Sequence, residues 1–164
     1  MATYDLTSAQ RQRIAGRVDV LYQQADAYFN RTFPRPTLSF RRSGKNAGTA
    51  FLQQNRINLH PLLYSDNESE YHDDVIPHEI SHLLVWQLFG KVKPHGKEWQ
   101  SIMLGVFKRP PNTTHSFDIN AVLGDRFAYQ CGCGEHRLSI RRHNKIQKGT
   151  KYQCKRCKQV LSPV

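Results

Sequence analysis

An amphipathic helix over residues 7–30 is the first element that the sequence predicts. Its apolar positions recur at spacings of three and four residues, which place them on one face of a helix. Thr7 or Ser8 is a suitable N-cap, and Pro34 and Pro36 follow the pattern, where proline stops a helix. The apolar face consists of Ile14, Val18, Leu21, Ala25 and Phe29.

Three short segments with alternating apolar and polar residues follow, at 37–42, 48–53 and 56–61. Alternation with a period of two is typical of strands that bury one face. Turn-forming residues separate the segments at 43–46 and 54–55. The pattern predicts a small antiparallel sheet.

A second long helix is predicted over residues 75–89. An acidic segment at 66–75 precedes it, and carboxylates suit the positive end of a helix. Pro77 either kinks this helix or lies in the first turn of its second half. Gly90 is well placed as its C-cap, and a further helix is predicted over 96–107.

The composition changes near residue 127, after a connecting segment at 108–126. Apolar residues become fewer there, and all four cysteines follow. We therefore predict an α+β fold in two domains. Helices pack on a short antiparallel sheet at 1–126, and a small domain that needs a metal for stability occupies 127–164.

Charge and hydropathy narrow the class of protein. Lys and Arg number 24 against 13 Asp and Glu, a net charge of +11, which favours polyanionic partners such as nucleic acid. No stretch approaches the roughly 20 apolar residues of a membrane span, and the N-terminus lacks the apolar region of a signal peptide. We expect a monomeric cytoplasmic protein without membrane partners.

The strongest chemical motif is His-Glu-Ile-Ser-His at residues 78–82. Positions i and i+4 of a helix share one face, so His78 and His82 are suited to bind a single Zn²⁺. Glu79 projects beside that face, where its carboxylate can hydrogen-bond a water activated by the metal. The motif indicates peptide hydrolysis, with Glu79 taking a proton from this water and delivering it to the leaving amine.

A catalytic zinc normally has a third protein ligand. His95 is the next histidine along the chain, and Gly90 allows the chain to reverse so that His95 returns to the metal. Glu98 is the competing ligand, one helical turn further on. We favour His95 as the ligand, with Glu98 orienting an imidazole.

The cysteines form two close pairs, Cys131 with Cys133 and Cys154 with Cys157. In a chain without an export signal, paired cysteines indicate metal more often than disulfides. Two such knuckles joined by a short basic hairpin describe a zinc ribbon with a structural Zn²⁺. The first pair has one intervening residue instead of two, so His136 is an alternative ligand. A redox-active pair is the competing interpretation of the second.

Positive charge is concentrated in the same segment. Residues 127–164 contain nine basic residues and one acid, Glu135, and so supply +8 of the net charge of +11. This concentration favours a nucleic-acid-binding surface, with Tyr129 and Tyr152 as stacking faces for bases. A solvated face, or a docking face for an acidic protein, is the alternative. The nine basic residues are Arg137, Arg141, Arg142, Lys145, Lys148, Lys151, Lys155, Arg156 and Lys158.

Several segments together resemble the SprT family, over nearly the whole chain. The resemblance implies a zincin-like metalloprotease domain followed by a zinc ribbon, with one catalytic and one structural zinc. It implies His78, His82 and His95 as ligands of the catalytic zinc and Glu79 as the catalytic acid/base. The matching segments are Ala47-Gly-Thr-Ala50, Ile57-Asn-Leu-His-Pro61, residues 77–86, Pro94-His-Gly-Lys-Glu-Trp99, Arg141-Arg-His-Asn144 and the terminal cysteine pairs.

Partners are also implied by this resemblance. The eukaryotic relatives of the family, the Spartan proteases, degrade proteins crosslinked to DNA. We therefore expect protein substrates and DNA, single-stranded or containing junctions, as partners. Two other functions stay open: a non-enzymatic DNA-binding or transcription-associated adaptor whose histidine-bound zinc is only structural, and a peptidase that acts independently of DNA.

Overall fold

A computed structural model describes residues 5–42, 44–115 and 126–164. The chain forms two compact units, residues 1–118 and 119–164, and its fold class is α+β, as predicted. The predicted domain boundary, after residue 126, falls at the first residue of a strand in the second unit. Residues 116–125 of the predicted connecting segment lie outside the described residues. Within the described ranges, no helix has the length and apolar character needed to cross a membrane.

The first helix, α1, spans Ser8–Phe29, close to the predicted range. Thr7 is the N-cap: its hydroxyl accepts a hydrogen bond from the Gln10 N–H, and the Gln10 side chain accepts one from the Thr7 N–H. The helix ends at Asn30, whose backbone is left-handed (φ 52°), before either proline. Its apolar face is buried at Ile14, Val18, Leu21, Tyr22 and Ala25.

The three predicted strands form one sheet, but their pairing is mixed. The strands are β1 (Thr37–Ser39), β2 (Gly48–Phe51) and β3 (Arg56–Leu59), in the order β1-β3-β2. A short turn makes β2 antiparallel to β3, as predicted. β1 instead lies parallel to β3, so the antiparallel prediction is wrong for that pair. Alternation reveals which faces are buried, but it does not specify which neighbour a strand selects.

Short helical turns connect the sheet to the second long helix. Pro61 begins the first of them, so the third strand ends at Leu59 and not at residue 61. The Tyr71 hydroxyl donates a hydrogen bond to the Ala47 carbonyl, 2.8 Å away, and so ties this segment to the residue before β2. The turns are α2 (Pro61–Asp66), α3 (Glu68–Glu70) and a π-helical stretch (Tyr71–Val75).

Helix α4 (Ile76–Phe89) contacts α1 and β2 and is buried along most of its length. Pro77 lies in its first turn, the second of the two predicted placements. Gly90 ends it with a positive φ of 73° and donates its N–H to the Trp86 carbonyl, as expected of a C-cap. The predicted helix that follows is α5 (Lys97–Ser101), continued by a π-helical stretch, Ile102–Val106.

The second unit is built on β4 (Arg126–Cys131), which pairs antiparallel with β5 (Gly134–Ser139) and β6 (Ser162–Pro163). A helix, α6 (Ile140–Gln147), follows β5. The prediction of a short basic hairpin between the two cysteine pairs is therefore wrong, since β5 and α6 occupy that segment. The Ser139 hydroxyl caps α6 by accepting from the Arg142 N–H. The small core contains Tyr129, Leu138, Cys154 and Leu161.

Candidate metal centres

Three histidines converge on one point in the first unit. His78 and His82 lie one turn apart on α4, and His95 comes from the segment between α4 and α5. Each pair of Nε2 atoms is 3.1 Å apart. His95 has a left-handed backbone, with φ 59°, which is uncommon for a residue other than glycine. That conformation belongs to the chain reversal that brings His95 back to α4.

This arrangement fits a zinc ion. Zn–N bonds of about 2.0–2.1 Å at tetrahedral angles place nitrogen atoms about 3.3 Å apart, close to the observed 3.1 Å. Burial, together with the neighbouring imidazoles, lowers the pKa of His78 to about 3 and the pKa of His82 to about 4. Both rings are therefore neutral at pH 7, the form that binds metal.

Trp99, on α5, packs against all three imidazoles. Its ring centroid is 4.8 Å from those of His78 and His95 and 5.7 Å from that of His82. Its indole N–H donates to the His78 carbonyl at 3.2 Å, and the side chain is fully buried. Trp99 thus restricts the orientation of the rings that form the centre.

Glu79 lies beside this cluster and is buried. Its Oε1 is 4.0 Å from Nε2 of His78, and the backbone N–H of Ala50 in β2 donates to its carboxyl group. Burial raises the pKa of Glu79 to about 8, although the bond from Ala50 opposes the rise. In the metal-free protein at pH 7 the carboxyl is mostly protonated and His78 is neutral, so the pair carries no salt bridge.

Gly48 provides the space that the Glu79 side chain occupies. A Cβ atom on Gly48 would lie 3.0 Å from Cγ of Glu79 and 3.2 Å from Cγ1 of Val75, closer than such atoms normally approach. Sequence reasoning gave no role to Gly48, Ala50 or Trp99. The one indication in the sequence was that these residues belong to the matching segments Ala47–Ala50 and Pro94–Trp99. Their contacts with α4 residues arise only when β2 and α5 pack against that helix.

Glu98 and the other histidines of the first unit lie around the cluster or away from it. No hydrogen bond joins Glu98 to an imidazole among the described residues, so its predicted orienting role has no contact to support it. His60 is buried at the start of α2, and His72 hydrogen-bonds the Tyr64 hydroxyl at 2.8 Å. His115 lies closer, with its ring centroid 5.6 Å from that of His78.

A second cluster lies in the other unit, where Cys131, Cys133, His136 and Cys154 bring their ligand atoms together. Cys131 Sγ is 3.3 Å from Cys133 Sγ and 3.1 Å from His136 Nε2, and Cys133 Sγ is 3.5 Å from Cys154 Sγ. All four cysteines are free thiols. Three sulfur atoms and one imidazole are a standard ligand set for structural zinc.

Cys157 lies next to this cluster without belonging to its four closest ligands. Hydrogen bonds with the thiols of Cys131, Cys154 and Cys157, in that order of effect, raise the pKa of Cys133 to about 12. The backbone N–H of Cys157, with that of Arg156, donates to Cys154 and lowers the pKa of that thiol to about 6. The knuckle therefore favours a thiolate at Cys154. The sequence left Cys131 and His136 as alternatives for the fourth ligand, and the structure brings both into the cluster, with the predicted ligand Cys157 beside it.

All nine basic side chains of residues 127–164 are exposed. Arg141, Lys145 and Lys148 follow one another at spacings of four and three, so they share one face of α6 and its C-cap. Arg137 is paired with Glu135 at 2.9 Å. His143, also on α6, stacks on Phe127 with ring centroids 3.9 Å apart. Its Nδ1 is hydrogen-bonded to the Tyr129 hydroxyl. Tyr129 itself is buried, so it is not a stacking face for bases.

Comparison with known proteins assigns both units. Residues 18–116 match the SprT-like family, and residues 125–164 match the SprT-like zinc ribbon domain. Protein SprT of Shewanella oneidensis is 57% identical over 148 residues, which cover 90% of this chain and 95% of that protein. Protein SprT of Actinobacillus succinogenes is 48% identical over 94% of this chain and 91% of the relative.

A more distant relative, Protein SprT of Pseudomonas paraeruginosa, is 42% identical over 92% of this chain and 93% of its own length. No solved structure matches the chain. Similarity of this extent over both units, together with the cysteine and histidine cluster of the ribbon, identifies a zinc-binding protein. The chain belongs to the SprT family.

Proposed function

We propose that this chain is a zinc-dependent peptidase that hydrolyses peptide bonds in proteins bound or crosslinked to DNA. One observation supports the peptidase assignment above all: the Glu79 carboxyl group lies 4.0 Å from Nε2 of His78, beside three converging imidazoles. A structural zinc site is closed by four protein ligands, whereas a catalytic site has three and an open position. Among the described residues, the histidine cluster has three ligands and an adjacent acid/base group.

Zinc, when bound to His78, His82 and His95, supplies a Lewis acid that polarises the scissile carbonyl group and acidifies water. Glu79 takes a proton from the attacking water as the new C–O bond forms. It then delivers that proton to the leaving nitrogen as the C–N bond breaks. A carboxyl group that lies beside the three ligands and is held by the Ala50 N–H is positioned for both transfers.

The surrounding residues hold Glu79 and the imidazoles in place. The Ala50 N–H fixes the carboxyl group, Gly48 leaves room for its side chain, and Trp99 packs on the three rings. Such restraint is valuable because acid/base catalysis depends on the reacting atoms being aligned before the reaction begins. The direct test is incubation of the zinc-loaded protein with an unfolded protein such as casein. Cleavage that a chelator abolishes and added zinc restores supports the proposal, and no cleavage favours the non-enzymatic adaptor.

Gly48→Ala is expected to reduce kcat/KM for peptide hydrolysis by about 10- to 100-fold while zinc content stays unchanged. The added Cβ atom would lie 3.0 Å from Cγ of Glu79. It would displace the Glu79 side chain without touching the imidazoles. Steady-state kinetics and metal analysis measure the two effects. Gly16→Ala is the matched control, because nothing lies within 4 Å of a Cβ atom there. Equal activity of Gly48→Ala and wild type would remove this role for Gly48.

The proposed link to DNA rests on residues 127–164, with their charge of +8 and nine exposed basic side chains. Phosphate neutralisation by Lys and Arg releases counterions and dominates binding that is independent of sequence. Arg141, Lys145 and Lys148 form a regular row of three positive charges. Such a row can contact several phosphates of one strand, whereas an isolated charge contacts only one. DNA then brings the peptidase to proteins that are attached to the same strand.

Replacing Arg141, Lys145 and Lys148 together by Gln is expected to weaken binding to single-stranded DNA. The plot of log K against log salt should also become less steep by about 2, at roughly 0.7 for each phosphate contact. Isothermal titration at several salt concentrations measures both. The matched control removes the same charge from exposed lysines of the first unit, Lys45, Lys97 and Lys108. Equal losses in both variants would show that net charge alone, and not this row, governs binding.

A further inference from the structure

An apolar cavity of about 60 Å³ opens directly beside the histidine cluster. His82 and Trp99 form the side that faces the cluster, and Leu52, Trp86 and Val92 supply apolar walls. Pockets for whole small-molecule ligands take about 300–1,000 Å³. The cavity is therefore of a size for one side chain and not for an independent ligand.

The cavity continues into an open groove along the end of β2. Leu52 and Trp86 line both, and the groove extends over Ala50 and the turn at Gln53 and Gln54. Ala50 is the residue whose N–H holds the Glu79 carboxyl group. An extended peptide lying in this groove would therefore pass the acid/base group at one end and present a side chain to the cavity at the other.

Charge at the mouth of the cavity distinguishes among side chains. Lys91 and Lys93 both line the cavity and are exposed. Lysine side chains are positively charged at neutral pH. A Lys or Arg side chain entering the cavity would meet two like charges and apolar walls, and both disfavour it.

We infer that this cavity is a substrate subsite that takes an apolar side chain, aliphatic or aromatic, from a residue close to the scissile bond. The inference deepens the proposed peptidase function and rests on it for the identity of the substrate. Leu52 is a specificity-determining residue in this subsite. It is 37% exposed in a turn, so it is free to be changed without loss of a buried core residue.

The test uses zinc-loaded full-length protein carrying Glu79→Gln, so that substrate peptides bind without being cleaved. Short Gly/Ser peptides with one central Leu or one central Lys are titrated, and the shift of the Trp86 indole N–H signal gives each Kd by NMR. The Leu peptide is expected to bind about tenfold more tightly than the Lys peptide. Adding Leu52→Asp should reverse this order, because a carboxylate then faces the entering ammonium group. Leu104→Asp, at an exposed position of the same unit outside the cavity, should leave the order unchanged.

Equal binding of the two peptides, or an order that Leu52→Asp does not alter, would overturn the inference. These binding results do not depend on catalysis. Cleavage of the Leu peptide by the wild-type protein tests the peptidase function separately, so a failure of the subsite and a failure of the proposed function give different results.

Discussion

Glu79→Gln is expected to reduce peptide hydrolysis by about 10²- to 10⁴-fold, the usual contribution of a general acid/base group. Glutamine has the same shape but accepts no proton from water, so the loss should appear in kcat. Zinc content should not change, because Glu79 lies beside the three imidazoles and is not one of the clustered ligands. The measurements are steady-state kinetics on an unfolded protein substrate and metal analysis of the same samples.

Glu98→Gln is the matched control for this change. It removes a carboxylate in the same region, from a residue without a hydrogen bond to the imidazoles among the described residues. Activity close to that of wild type is expected. If Glu79→Gln kept full activity, another group would have to move the proton, and the proposed peptidase mechanism would lose its main support.

The raised pKa of Glu79 predicts that the stability of the metal-free protein falls as the pH rises. Burial raises the pKa of Glu79 to about 8 in the folded chain, whereas the unfolded chain releases this proton near pH 4.5. Between these values the folded chain retains a proton that the unfolded chain has lost. Raising the pH across this range therefore favours unfolding. Urea unfolding should show wild type losing stability relative to Glu79→Gln from about pH 5 to pH 8.

His82→Ala is expected to lower the zinc content from two ions per chain to one. Removing a residue that hydrogen-bonds a zinc ligand weakens zinc binding by about 10- to 100-fold. Removing one of the three ligands themselves should weaken zinc binding more than that. The ribbon cluster contains none of the affected residues, so its zinc should stay. Metal analysis after dialysis measures this change, and peptide hydrolysis should disappear with it.

His72→Gln is the control for the loss of an imidazole. His72 is half-buried and hydrogen-bonded to Tyr64, outside both clusters, so two zinc ions should remain. If His82→Ala also kept two, the three histidines would not form a zinc site. If it lost both, the two centres would not be independent of each other.

The sequence was most informative where chemistry and helix geometry coincide. The spacing of His78 and His82 is fixed by the helix itself, and the structure brings their Nε2 atoms together with that of His95. The apolar faces of α1 and α4 and their caps at Thr7 and Gly90 also follow from local rules. These features depend on residues that are close in the chain, which is the range over which sequence patterns are reliable.

Features that depend on distant residues could not be predicted. The parallel pairing of β1 with β3 and the contact of Ala50 with Glu79 arise only when separate segments pack together. The helix α6 was missed because the basic segment was considered only for its charge, although Ser139 is a good N-cap. The roles of Gly48 and Trp99 were likewise invisible, since a small or an aromatic residue has many structural uses in any sequence.

Trp99 gives the molecule a spectroscopic reporter of its own metal. The chain has two tryptophans, Trp99 in contact with the three imidazoles and Trp86 one helical turn beyond His82. Their intrinsic fluorescence therefore originates beside the histidine cluster, while the ribbon, which lacks tryptophan, is silent. Quenching of that emission by Co²⁺ or Cu²⁺ would follow metal binding at the histidine cluster separately from metal binding at the cysteine cluster.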